Sequence, residues 1–175
     1  MNKRNYWDKI CTVHSFTKHY LLLAEEMSIE GNAFLQPLKE HRDAYDHIIR
    51  VQSVLAKKIN VENSDEYIEK NMSKALGHEY RAFFDTADWL TLICRERINT
   101  LLNGKTIDDV KEKYPDYLNF KKMLLELPQK IASFRENKDI GKTNESFMTD
   151  IDKYAEMLNN LLKYCTELEK AIEGL

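Results

Sequence analysis

Arginine and histidine stand five residues apart in one charged stretch of the chain, Leu38–Val51, which carries Arg42 and His47. Histidine is the side chain whose charge changes nearest neutral pH, so it can take up or release a proton. Arginine is a permanent, forked cation suited to carboxylate and phosphate. On a helix of 3.6 residues per turn the two are about 140° apart. With Tyr45 at the centre of the buried face, Arg42 falls at its edge and His47 nearly opposite. Their convergence then requires a protomer interface or a distorted helix. The same residues also make an ordinary solvated face. Arg42 with Asp46, Asp46 with Arg50 and Asp43 with His47 are i,i+4 pairs, each worth a few tenths of a kcal/mol.

The spacing of Arg42 and His47 resembles the R-x(4–6)-H motif of the HEPN superfamily, helical-bundle proteins that include many prokaryotic toxin and defence ribonucleases. Those proteins often carry a polar residue directly after the arginine, and Asp43 fills that place. The resemblance covers residues 42–47 and the all-helical texture of the chain. It implies RNA cleavage with no metal and no cofactor. By carry-over, His47 handles the proton of the ribose 2′-OH or of the leaving oxygen, and Arg42 stabilises the charge that builds on the phosphate. The resemblance also implies a dimer whose protomers pool their motifs in one cleft. In such a site Asp43 orients the His47 ring and Arg50 helps to bind phosphate.

A second concentration of polar and aromatic residues runs from His78 to Leu90. Tyr80, Phe83, Phe84 and Ala87 read as core. Arg81, Asp85 and Asp88 share another face, where a surface ion pair is the plain expectation. The sharper alternative has Arg81 or His78 facing the Arg42 helix and completing a cleft with Arg42 and His47. Trp89 is a candidate interface anchor. His14 and His19 fall on different sides of the first helix and read as surface or core-edge histidines, not metal ligands. A bundle di-iron centre needs Glu-x-x-His, and no histidine here has Glu three residues before it. GxGxxG, GxxxxGK[ST], GxSxG and HExxH are likewise missing from the sequence.

The elements that must position these residues are helices. Apolar residues recur in steps of four and three at Tyr6, Ile10, Val13, Thr17, Tyr20, Ala24 and Met27, which predicts helix 1 over about 5–27. After a connector with Gly31, Pro37 suits the first turn of helix 2, which is expected to reach Ile59 and to bury Leu38, Tyr45, Ile48, Ile49, Leu55 and Ile59. Asn63 or Ser64 can cap helix 3, about 65–103. It follows the same spacing from Ile68 to Leu101, with a kink expected at Gly77 or a projecting end. A short helical segment, Ile107–Tyr114, stops at Pro115. The next helix, about 116–137, has Leu118, Met123, Leu124, Leu127, Ile131 and Phe134 as its apolar set, with a kink or break expected at Pro128. A polar loop with Gly141 leads to the last helix, about 144–173. There Phe147, Ile151, Tyr154, Leu158, Leu161, Cys165, Leu168 and Ile172 form a coiled-coil-like seam.

The expected fold is therefore all-α: a single domain, 1–175, built as an up-and-down bundle of about five helices with long third and C-terminal helices. With 175 residues, 43% of them hydrophobic, one core is affordable. A formal net charge of −3 argues against a generic nucleic-acid coat. Cys11, Cys94 and Cys165 are odd in number and form no CxxC, which points to core thiols in a reducing cytoplasm. No apolar run reaches the roughly 18 residues needed to span a bilayer. Two functions fit. One is a HEPN-like ribonuclease or toxin-type effector of prokaryotic stress or defence, acting on RNA through Arg42 and His47. The other is a non-catalytic interaction or oligomerisation protein that uses the C-terminal seam or helix 3 to bind a second copy or a helical partner.

Overall fold

The computed structural model describes residues 3–28, 34–136 and 144–174, with side chains for 5–28, 34–133 and 148–174. Gly31, Gly141, Phe134 and Phe147 lie outside the residues whose side chains are described. The chain is all-α, with no strand among the described residues. Its helices are α1 (Lys3–Met27), α2 (Leu35–Leu55), α3 (Ser64–Leu102), α4 (Ile107–Lys113), α5 (Tyr117–Glu136) and α6 (Asn144–Glu173). Among the described residues there are six and not about five, because the short α4 is an element of its own. Thr106 caps it: its hydroxyl accepts from the Asp109 N–H while the Asp109 carboxylate accepts from the Thr106 N–H. No described helix is long and apolar enough to cross a membrane. The chain divides into two compact units, 1–90 and 91–175, with the boundary inside α3.

In the first unit, α1 buries Tyr6, Ile10, Val13, Thr17, Tyr20 and Ala24, the stripe its spacing predicts. Thr17 can sit there because its hydroxyl donates to the Val13 carbonyl at 2.9 Å. Asn63 starts α3 by accepting the Glu66 N–H. The α3 residues Ile68, Met72, Leu76, Tyr80, Phe83, Ala87 and Leu90 are all buried, as expected. Trp89 stacks on Phe34 of the same chain, at the entry to α2, with ring centres 5.4 Å apart.

The expected face of α2 is wrong. Tyr45 is 63% exposed, and Leu38, Ile49, Leu55 and Ile59 are exposed too. The buried positions are Pro37, Glu40, Ala44 and Val51, and His41, His47 and Ile48 flank them half-buried. The stripe still has helical spacing. It is rotated because three polar residues, Glu40, His41 and His47, take inward positions and find partners there. The helix also ends earlier, at Leu55, where Lys57 turns the chain with a positive φ of 56°.

In the second unit, α6 buries Ile151, Tyr154, Leu158, Leu161, Cys165, Leu168 and Ile172, the expected seam. Arg97 on α3 donates to Glu169 at 3.0 Å, and the Tyr114 hydroxyl donates to Glu167 at 3.1 Å. Cys94 and Cys165 are free, buried thiols. Hydrogen bonding to Cys94, together with burial, pushes the Cys165 thiol far up. α5 runs unbroken with Pro128 inside it, so the expected break does not occur. Its buried side is Tyr117, Phe120 and Leu127, while Leu118 is exposed.

α3 also runs unbroken through Gly77. A Cβ at Gly77 would meet its nearest neighbour, an Arg81 side-chain nitrogen, at 3.7 Å, an ordinary contact. A mid-helix glycine costs roughly 0.5–1 kcal/mol relative to alanine. Gly77→Ala is therefore expected to raise stability by about that amount in urea unfolding, and a drop would show that the site needs the bare backbone.

Candidate functional site

α2 places Glu40 and His41 side by side on its inward stripe, and α3 does the same with His78 and Glu79. The pairs meet crosswise. The Glu40 carboxylate faces His78, 38 residues away, at 2.8 Å, and Glu79 faces His41, also 38 residues away, at 3.1 Å. Farther along α2, His47 reaches Asn71 at 2.9 Å. Partners thus descend α3 as they ascend α2, so the two helices run antiparallel. α1 adds His14, whose Nδ1 lies 3.2 Å from Glu79 and whose ring packs edge-on against His41 with centres 4.7 Å apart. Every histidine except His19 belongs to this belt.

The hydrogen bonds fix where protons sit. The Asn71 amide donates to the Tyr67 carbonyl at 2.8 Å, which turns its oxygen toward His47. The His47 Nδ1–H donates to that oxygen, and the Nε2 lone pair is left for other work. The ring of His47 stacks on His78, with centres 5.4 Å apart and planes 23° from parallel. Arg81 donates its Nε–H to Glu40 at 2.8 Å, and its Nη2 lies 2.6 Å from His78 Nδ1. One ring nitrogen cannot donate to Glu40 and accept from Arg81 at once. The carboxylate accepts only, so the His78 proton points to Glu40. Burial pushes the Glu40 carboxyl up, but the hydrogen bonds and charges of His78 and Arg81 win and hold it below its usual range.

The remaining candidates lie elsewhere on α2. Arg42, 70% exposed, turns back onto Asp43 at 2.8 Å, and this hydrogen bond holds the Asp43 carboxyl below its usual range. Asp43 therefore engages Arg42, and Asn71 is the group that orients His47. Arg50 pairs with Asp46 at 2.7 Å on the outer face. Arg81 and His78 face α2, as the sharper reading of the second stretch has it. Glu40, His41, Glu79, Asn71 and His14 were missed as site residues. His14 has the carboxylate partner that its own helix does not supply. The only sequence signal was the pair of adjacent Glu/His doublets at 40–41 and 78–79.

A groove of about 330 Å³ opens beside the belt, walled by Trp7, Ile10, Cys11, Tyr45 and Ile48, with His14, His41 and Glu79 on its lining. No family model, no curated protein and no solved structure matches this chain.

Because the folded state holds Glu40 deprotonated, its contribution to stability is present above the ordinary carboxylate pKa near 4.5 and is lost as pH falls through the lower folded value. Melting temperatures taken from pH 6 down to 3 are expected to fall more steeply for wild type than for Glu40→Gln. Equal slopes would remove Glu40 as an acid-sensitive tie.

Proposed function

We propose that this chain is a HEPN-like helical protein that cleaves RNA without a metal, and that the working groups are the His47–His78 stack and Arg81. The observation that carries this is the stack itself: two imidazoles 5.4 Å apart with a guanidinium against one of them. All three residues are half-buried, so each keeps part of its side chain at the surface. In this reading the free Nε2 of His47 takes the proton of a ribose 2′-OH. The oxygen attacks the adjacent phosphorus, and the bond to the leaving 5′-oxygen breaks. His78, entering as the imidazolium with its Nδ1–H on Glu40, returns its Nε2 proton to that oxygen. Arg81 is held by its Nε and keeps Nη donors for the charged phosphate.

The test is cleavage of a labelled single-stranded RNA in the presence of EDTA. Wild type is expected to cut, and His47→Ala and His78→Ala to lose about 10²–10⁴ fold, the usual range for a proton-transfer group. No cleavage by wild type, or unchanged rates in both variants, ends this reading.

A specific feature favours a second reading, self-association through α2. Leu38, Tyr45 and Ile49 form an exposed apolar row on its outer face, and Arg42 lies in the same row at helical spacing. Such a row, with an arginine in it, has the composition of an interface centre. It would also carry Arg42 of one protomer toward the other. Light scattering is expected to give a dimer for wild type and a monomer for the double variant Tyr45→Glu with Ile49→Glu. A wild-type monomer at 100 μM or so, weaker than any standard-size interface gives, rules out this use of the row.

A further inference from the structure

The two buried carboxylates of the belt are compensated unequally. Glu40 has a permanent cation beside it, Arg81. Glu79 is more deeply buried, with its side chain 4% exposed, and among the described residues its carboxylate bonds only to His14 and His41. Neither is a permanent cation. Burying a charge without a counter-charge is costly. A carboxylate with two imidazoles is also a ligand set for a divalent transition metal, the His₂Glu arrangement of catalytic zinc sites and the two-histidine, one-carboxylate arrangement of ferrous sites.

The distances suit that use. The donor atoms of His14, His41 and Glu79 all lie within 4.8 Å of one another, and each histidine Nδ1 is 3.1–3.2 Å from the carboxylate. Ligands about 2.0–2.1 Å from a tetrahedral ion are about 3.3 Å from each other. The two nitrogens, up to 4.8 Å apart, would close by as much as about 1.5 Å around the ion, and His14, half exposed at the groove, has the freedom to do so. On binding, each ring would give its Nδ1 lone pair to the ion and carry its proton on Nε2. Three protein ligands leave further positions for water or a small ligand, and the open side is the 330 Å³ groove, which separates this site from closed structural ones.

We propose that His14, His41 and Glu79 bind one divalent transition-metal ion, with Zn²⁺ the preferred occupant for this ligand set, and that its open coordination positions face the groove between α1 and α2. The proposal does not rest on the ribonuclease reading, whose working groups are His47, His78 and Arg81.

Tag-free protein, stripped with chelator, is titrated with ZnCl₂ by calorimetry, and Co²⁺ is added in parallel to read its visible absorption. Wild type is expected to take up one equivalent, to melt at a higher temperature with Zn²⁺, and to give the strong visible bands of four- or five-coordinate Co²⁺. His14→Ala and His41→Ala are expected to bind more than about 100-fold more weakly, since even outer-shell changes cost 10–100-fold. His19→Ala is expected to match wild type. His14 is half exposed, so its variant keeps the fold, and an unchanged metal-free melting temperature checks this. No one-to-one binding by wild type, or equal binding in His14→Ala and wild type, overturns the site. Loss of RNA cleavage with metal binding intact, or the reverse, tells failure of one reading from failure of the other.

Discussion

The first unit depends on how two carboxylates are accommodated between α2 and α3. Glu40 and Glu79 are both buried, on helices packed against each other, and each must be met by donors or it costs several kcal/mol. The solution is a crosswise pairing of adjacent doublets, Glu40 with His78 and Glu79 with His41. It sets the register of the α2–α3 hairpin more tightly than apolar contacts can. A slip of one residue would put Glu40 against Glu79 in one direction, or His41 against His78 in the other. Shape-matched apolar residues would serve stability as well or better.

The belt is also why the buried face of α2 was misread while those of α1, α3 and α6 were not. In α1, α3 and α6 the inward positions are mostly apolar and the hydrophobic period gives the buried face directly: Val13, Phe83 and Leu158 are all fully buried where the spacing puts them. In α2 the inward stripe is Pro37, Glu40, Ala44, His47 and Val51, and the larger apolar residues, Leu38, Tyr45 and Ile49, look outward. Hydrophobicity marks the buried face only where burial is the sole demand on a residue. Pro128, likewise, does not break its helix. A proline removes one helical hydrogen bond and crowds the preceding turn, but the chain on either side can keep the helix going, as α5 does.

The candidate site was legible only as far as its local part. Arg42, Asp43, His47 and Arg50 lie within nine residues and could be read as a group. The contacts that define the site span 24 to 65 residues, from His47 with Asn71 to His14 with Glu79. Periodicity within one helix carries no information about which residue of another helix it meets. His78 and Arg81 were reachable because they form their own polar cluster on α3. Asn71 and Glu79 were not, since nothing in the local sequence marks either as turned toward α2. Such residues acquire meaning only when a partner is placed opposite.

The helical geometry also bears on how Arg42 and His47 can act together. They occupy opposite sides of α2: His47 is turned inward to Asn71, while Arg42 is 70% exposed and tied to its neighbour Asp43. No rotamer of Arg42 brings its guanidinium through the helix to the inner side. Within one chain, the cation beside the paired histidines is Arg81. Arg42 sits among Leu38, Tyr45 and Ile49, at spacings of four, three and seven residues, so whatever covers that apolar row must also desolvate the guanidinium. The Asp43 carboxylate, hydrogen-bonded to it at 2.8 Å, already offsets part of that cost. An arginine prepared in this way on an apolar face is better suited to meeting an anion on another surface than to serving the site beneath its own helix.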